Sequence, residues 1–202
     1  MNRKQERTPV QAIEAALTEK LTWKDGSPVK LRLLPAITKH QLAQFEQSLG
    51  NAVSADIRDL LFLAAGFEFP PVGTVNFLGI DLSVETFFCS VPIVGDEYGN
   101  FWVVDTEPGN GDWGAVFFWC HDPAVGVIQA PTLSAFLEQI FDIGRPDHRD
   151  ALASIRERCH RIWADDPYLA SVAEARNGDD PTLSTFARSL PDSFDVADLR
   201  KD

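Results

Sequence analysis

The amino-acid sequence predicts an α+β fold with helical segments at both ends and a mostly antiparallel β-region between them. Apolar residues recur at helical spacing before Gly66 and again after Pro131. Between Phe67 and Ala130, short aromatic and β-branched runs alternate with Gly, Pro, Asn and Asp, which is typical of strands joined by turns. The connections in this region are short, and short connections favour antiparallel pairing.

The chain is predicted to begin with one helix and one short strand. Thr8 is the expected N-cap of the helix, with Pro9 at its first position. Asp25–Pro28 has the composition of a turn, and alternation over residues 29–34 indicates a short strand. The apolar face of this first helix is predicted to consist of Val10, Ile13, Leu17 and Leu21.

Two further helices are predicted as a pair. Thr38 and Gln41 have the spacing of a capping box, and Gly50 stands where that helix would end. Ser54 is the expected N-cap of the next helix, and Gly66 suits the left-handed conformation that stops a helix. The inward faces are predicted to be Leu42, Phe45 and Leu49 in one helix and Ile57, Leu60, Leu61 and Ala64 in the other.

Strands are expected in the middle of the chain, with two intervening loops. The predicted strands are Thr74–Leu78, Thr86–Ser90, Asn100–Asp105, Ala115–His121 and Gly126–Gln129. The predicted loops are Val94–Gly99 and Thr106–Trp113.

Helical spacing returns in the C-terminal part of the chain. Pro131-Thr132 precedes a helix that contains Leu133, Phe136, Leu137, Ile140 and Phe141, and Gly144–Pro146 would end it. A further helix is predicted with Leu152, Ile155, Cys159 and Ile162 in register. We therefore expect one domain over residues 1–145 and a helical extension over residues 146–202, which packs on the domain or trails from it.

Length and composition fit one hydrophobic core, since the chain has 202 residues and is 45% hydrophobic. No window approaches the roughly 20 apolar residues that span a bilayer, and the N-terminus lacks the apolar stretch of a secretory signal. The sequence therefore predicts a cytoplasmic protein. Its three cysteines, Cys89, Cys120 and Cys159, are widely spaced among apolar residues, so neither a disulfide nor a zinc site is expected.

The charge of the chain is concentrated in its middle. The formal net charge is −12, and residues 59–144 contain twelve Asp or Glu and no Lys or Arg. Such a field attracts cationic partners and disfavours direct nucleic-acid binding, which needs Lys and Arg on the phosphates. The alternative is a β-region that simply uses Asp and Glu in its turns.

Motifs for catalysis or metal binding have simpler structural interpretations. Residues 94–100 place two carboxylates and two glycines together, but the ligand spacing of a calcium loop is missing and a hairpin turn is favoured. Neighbouring residues of a strand face opposite sides, so Cys120 and His121 are not expected to act as nucleophile and base. The sequence thus predicts no catalytic residue, no metal site and no cofactor, although an enzyme with a carboxylate-based site remains an alternative.

The run Val116–Trp119 is both apolar and aromatic. It is interpreted as a central strand buried on both faces. The alternative is that one exposed ring in this run anchors a partner.

Two segments together resemble the SUKH superfamily of toxin-immunity proteins and fungal cell-wall regulators. The first, Pro35–Gly66, resembles the paired helices at the start of SUKH domains through Leu42, Phe45-Glu46, Leu49-Gly50, Asp56-Ile57-Arg58, Leu60-Leu61 and Ala65-Gly66. The second, Val91–Asp105 followed by Trp113–Phe118, is similar to the signature hairpin of that family. The resemblance covers about residues 35–143, and the shared residues are structural glycines, aromatics and turn residues.

The resemblance implies a central, mostly antiparallel sheet flanked by helices, with additional C-terminal helices here. It also implies a non-enzymatic protein that binds and neutralises a cognate toxin, which is often a nuclease; the alternative is a scaffold of the cell-wall-signalling type. A basic toxin domain would suit the acidic middle of this chain. The partner-binding residues are predicted in or beside turns, at Asp96, Glu97, Asp105, Glu107, Asp112 and Trp113.

Overall fold

The computed structural model describes residues 7–23, 25–80, 90–96, 98–106, 111–121, 124–145, 152, 154, 155 and 161. In chain order its helices and strands are α1 (Pro9–Thr18), β1 (Arg32–Leu33), α2 (Lys39–Leu49), α3 (Ala55–Leu63), β2 (Gly66–Phe69), β3 (Gly73–Asn76), β4 (Ser90–Gly95), β5 (Phe101–Asp105), β6 (Val116–His121), β7 (Ala124–Ala130) and α4 (Leu133–Asp142). They form a three-stranded sheet, β1-β2-β3, and a four-stranded sheet, β4-β5-β6-β7, and every strand pair is antiparallel. The predicted α+β class is confirmed.

Helix α1 starts where the sequence predicts, and its predicted apolar face is confirmed in part. Thr8 accepts a hydrogen bond from Gln11 N and the Gln11 side chain accepts one from Thr8 N, which closes a capping box. Ile13 and Leu21 are buried and Val10 packs against the core, but Leu17 on the last turn is 45% exposed. The buried residues of the helix, which contacts α3 and α4, are Pro9, Ala12, Ile13 and Ala16.

The predicted caps of α2 and α3 are confirmed, but Gly66 has another role. Thr38 and Gln41 form the capping box of α2, Gly50 ends it at φ 73°, and Ser54 caps α3. Helix α3 already ends at Leu63, and Gly66 is the first residue of β2. A Cβ on Gly66 would lie 2.0 Å from the Val75 carbonyl oxygen, so the close approach of β3 requires glycine there.

The three-stranded sheet is built from short strands. The strand expected over residues 29–34 is reduced to β1, the one expected at Thr74–Leu78 forms as β3, and β2 was not predicted. Arg32 of β1 lies opposite Glu68 of β2, and its Nε donates to Glu68 Oε2 at 2.7 Å. That hydrogen bond and the nearby carboxylate charge raise the pKa of Arg32.

The four-stranded sheet contains three of the predicted strands, with ends that differ by one or two residues. They form as β5, β6 and β7. The loop expected from Val94 is wrong at its start, because Val94 and Gly95 belong to β4. A bulge between Pro92 and Val94 interrupts the alternation of this strand, which explains why the sequence pattern did not reveal it. Of the predicted strand Thr86–Ser90, only Ser90 lies within the described residues.

Helix α4, which begins after its N-cap Thr132, packs on both sheets and unites the core. The Phe141 ring lies 5.3 Å from Phe67 of the three-stranded sheet. One helical turn and a half earlier, Phe136 lies 6.4 Å from Trp102 of the four-stranded sheet. The sheets also adjoin directly, since Ile80 N donates to Pro92 O at 2.8 Å. One continuous core therefore serves both sheets.

Part of the expected C-terminal helix is described. Residues 152, 154, 155 and 161 have helical backbone, and Leu152 and Ile155 are buried in the core. Cys159, Ile162 and the rest of the extension lie outside the described residues. Within the described part of the chain, no helix is long and apolar enough to cross a membrane.

Candidate protein-binding surface

The two faces of the four-stranded sheet differ in what covers them. Trp102 and Val104 of β5, with Val116 and Phe118 of β6, belong to the core beneath α4. Side chains alternate along a strand, so their neighbours project from the opposite face. We call that surface the outer sheet face; its residues are Pro92, Phe101, Val103, Phe117, Trp119 and Ile128.

The outer sheet face exposes large apolar side chains. Trp119 is 38% exposed and Ile128 is 52% exposed. The prediction that Val116–Trp119 is buried on both faces is therefore wrong. Val116 and Phe118 are fully buried against the core, whereas Trp119 lies on the side that α4 does not cover. One exposed ring in this run was the alternative that the sequence left open.

The position of Trp119 depends on the glycine opposite it. Trp119 pairs with Gly126 across β6 and β7. A Cβ on Gly126 would lie 3.0 Å from two carbons of the indole ring, so the ring lies over the bare backbone of β7. Glycine in a strand often marks such a close approach. A side chain at position 126 would therefore displace the Trp119 ring.

Asp96 builds the β4–β5 turn. Its carboxylate accepts hydrogen bonds from Tyr98 N, Asn100 N and Asn100 Nδ2, each at 2.9 Å. Asp96 N also donates to Asn100 O at 3.0 Å, which closes the turn. The preferred interpretation of residues 94–100 as a hairpin turn is confirmed. Asp96 therefore has a structural role in the β4–β5 turn.

Asp105 and Asp112 lie at the other end of the sheet. Asp105 ends β5, its carbonyl accepts from Gly114 N at 2.7 Å, and Asp112 is exposed in the same connection. Four residue steps of β5 separate this end from the Asp96 turn, about 13 Å at the usual strand rise. The predicted binding acids thus fall into two groups. Glu97 and Glu107 lie outside the described residues.

Trp113 is not reachable by a partner in this structure. Its side chain is 6% exposed and packs edge-to-face on Phe45 of α2, with ring centroids 6.4 Å apart. The segment just before Trp113 is held against the start of α3, because Ser54 N donates to Gly111 O at 2.8 Å. The expectation of an accessible Trp113 is therefore wrong. Its indole N–H is also buried without a hydrogen-bond acceptor among the described residues.

Some acids of the middle segment are paired with cations from outside it. Arg145 Nη1 lies 3.0 Å from Glu138 and 3.7 Å from Asp142, and its Nε lies 2.7 Å from Glu19. Burial by itself lowers the pKa of Arg145, but the hydrogen bonds with Glu19 and Glu138 outweigh it and the pKa is raised. Arg7 also binds Glu138 at 2.7 Å. These acids, like Glu68, stabilise the fold and add little to a binding field.

The described residues that could suggest catalysis or metal binding do not form such a site. Cys120 is 4% exposed and belongs to the core, as predicted, whereas the side chain of His121 and all of Asp122 lie outside the described residues. Across the described ranges, no three His, Cys, Asp or Glu side chains are placed to hold a metal ion.

Comparison with known proteins identifies one family. The model of the SMI1 / KNR4 family (SUKH-1) matches residues 36–139, just over half of the chain. The match runs from the approach to α2 into α4, so it includes all four strands of the four-stranded sheet, while α1 and β1 lie before it. No curated protein matches the chain.

Proposed function

The chain belongs to the SMI1 / KNR4 family (SUKH-1), and from this premise we propose that it is a non-enzymatic immunity protein that neutralises a cognate toxin by binding it. Membership supports the coarser statement, a protein-binding role in toxin immunity or in a cell-wall-related process. The toxin, the stoichiometric mechanism and the acidic contact surface are parts of the proposal. A cytoplasmic location follows from it, since an immunity protein protects the producing cell.

The observation that carries the proposal is the distribution of cations. No Lys or Arg occurs in residues 59–144, which include β2 to β7 and α4. Every described Lys or Arg lies before β2 in the chain or after α4. The described strands of the four-stranded sheet therefore carry no Lys or Arg, and electrostatic steering towards them favours a basic protein. Nuclease toxins are basic because they hold nucleic acid.

The candidate catalytic groups support a binding function over an enzymatic one. Cys120 is enclosed in the core, and the oxygens of Asp96 hold the backbone of their own turn. Exposed Asp112 and the two apolar side chains Trp119 and Ile128 instead provide the combination of charge and apolar area that protein interfaces use.

The test is a capture experiment with the purified full-length chain and the basic polypeptide encoded beside it, at about 50 and 500 mM salt. We expect capture at low salt, weaker capture at high salt, and loss of the toxic activity at a one-to-one ratio. Binding of a neighbour that is not toxic would favour the scaffold alternative. Absence of binding to any neighbouring product would contradict the immunity proposal.

A further inference from the structure

We propose that Trp119 and Ile128 form the apolar anchor of the binding surface, and that this anchor receives an apolar side chain of a cationic protein partner. This inference rests on the proposed function and adds to it. Charge alone sets how fast partners meet, whereas a small apolar centre sets how long they stay together.

The register places the two side chains in one patch. Ile128 pairs with Phe117 and Trp119 pairs with Gly126, so Trp119 and Ile128 are diagonal neighbours on β6 and β7. Diagonal neighbours lie about 7 to 8 Å apart, within reach of an aromatic side chain. Because the Trp119 ring lies over Gly126, no side chain separates it from Ile128 along β7. The patch is a continuous apolar strip across two strands.

The layer beneath the strip is rigid. Phe118 and Val127, the neighbours of these residues on the opposite face, are 0% and 5% exposed in the core. Phe117 and Val103 continue the apolar row on the outer sheet face, but Val103 is only 4% exposed, so the accessible part of the row is at Trp119 and Ile128. A partner side chain would therefore meet a fixed platform, and ordering such a platform costs little on binding.

Charge identifies the class of occupant. The sheet carries no cation, and Asp96 lies at one end of it while Asp105 and Asp112 lie at the other. A second copy of this chain would bring the same acids against this face, since both sides of a two-fold interface are identical. A nucleic acid would bring phosphates against the same carboxylates. A basic protein with an exposed apolar side chain fits both the apolar centre of this face and the acidic ends of the sheet.

The experiment measures association and dissociation rates of the full-length chain with the basic domain encoded beside it, made catalytically inactive. Ile128→Ser removes half of the anchor at an exposed position. Leu17→Ser on α1 is the matched control, because Leu17 is 45% exposed and Ile128 is 52% exposed. The double variant Asp105→Asn/Asp112→Asn removes charge from one end of the sheet. Urea unfolding midpoints verify that each variant is folded.

We expect Ile128→Ser to raise the dissociation rate by about tenfold or more, as for a hot-spot residue, with an unchanged salt dependence. Leu17→Ser should match the wild type. The double variant should slow association and flatten its salt dependence. Equal dissociation rates for Ile128→Ser and Leu17→Ser would overturn the anchor and leave the acidic-surface proposal standing. Failure of the wild-type chain to bind the basic domain would overturn both.

Discussion

The three-stranded and four-stranded sheets share one core but present different surfaces. In the first, Arg32 and Glu68 pair across adjacent strands, and opposite charges are matched. In the second, Trp119 and Ile128 are exposed and no cation occurs on any strand. Helix α4 supplies aromatic contacts to both sheets, so the packing requirement on their inner faces is the same. The comparison teaches that the shared core constrains the inner faces of both sheets, whereas the outer sheet face differs from the three-stranded sheet in charge and in apolar exposure.

The largest expected effect is a difference in stability between a substitution in the shared core and one on the outer sheet face. Phe141→Ala should lower the free energy of unfolding by about 3 to 5 kcal/mol, because it leaves a cavity against Phe67 and Phe69. Trp119→Ala should cost less, about 1 to 2 kcal/mol, since part of its ring is already in water. Urea unfolding of both variants measures the difference. Equal losses would mean that the outer face is as important to stability as the core.

The second prediction compares two tryptophans that are buried to the same degree, 5% exposed for Trp102 and 6% for Trp113. Trp102 Nε1 donates to Gln129 Oε1 at 3.1 Å, whereas Trp113 Nε1 has no acceptor in the part of the chain that the structure describes. Trp102→Phe breaks a hydrogen bond, while Trp113→Phe removes an unpaired buried donor. We expect Trp102→Phe to be less stable than Trp113→Phe by about 1 to 3 kcal/mol. Thermal unfolding and urea unfolding should give the same order of stability for the two variants. The reverse order would show that Trp113 Nε1 is hydrogen-bonded in solution.

The third prediction separates an acid that stabilises the fold from one that is exposed at the other end of the four-stranded sheet. Asp96→Ala should destabilise the chain by about 1 to 2 kcal/mol, because the Tyr98 and Asn100 amides lose their acceptor. Asp112→Ala, at an exposed position outside that turn, should destabilise the chain less than Asp96→Ala. Backbone amide hydrogen exchange at Asn100 should accelerate only in the Asp96 variant. Matching stabilities would argue that the Asp96 turn tolerates the loss of its carboxylate.

The smallest effect concerns the turn before β1. The Ser27 hydroxyl and then the Ser27 N–H hold the pKa of Asp25 below its ordinary 3.8. A pKa that is lower in the folded state adds stability above pH 3.8, and this stability is lost as the pH falls through the folded-state pKa. An NMR titration should therefore place Asp25 below 3.8, and Ser27→Ala should move it upward. No movement would assign the shift to another cause.

Local features of the fold could be predicted from the sequence, and long-range ones could not. The caps at Thr8, Thr38 and Ser54 depend on residues within one turn, and all three form. Strand β4 was missed because its bulge breaks the alternation. Strand β2 was missed because Gly66 was interpreted as the end of a helix, whereas the approach of β3 is what requires glycine there.

The exposure of the candidate binding residues also depends on long-range contacts, which the sequence does not reveal. Position in a loop indicated an accessible Trp113, but its burial depends on Phe45 of a distant helix. Membership of an apolar run indicated a buried Trp119, but exposure depends on which sheet face α4 covers. The count of acids between residues 59 and 144 was correct, yet it did not reveal that Glu68 and Glu138 are paired with arginines across the fold.

The cation-free sheet also determines how the protein responds to common reagents. Trypsin cleaves after Lys or Arg but not before Pro, and Pro146 follows Arg145. It therefore has no site between Arg58 and Arg149, and residues 59–149 remain one peptide even after complete digestion. Tryptic stability therefore reports on the flanking helices, and an enzyme that cleaves at aromatic or acidic residues is needed to probe the sheet. Amine-directed coupling likewise attaches the chain through lysines outside residues 59–144. A sensor surface prepared in this way leaves the outer sheet face without a covalent attachment.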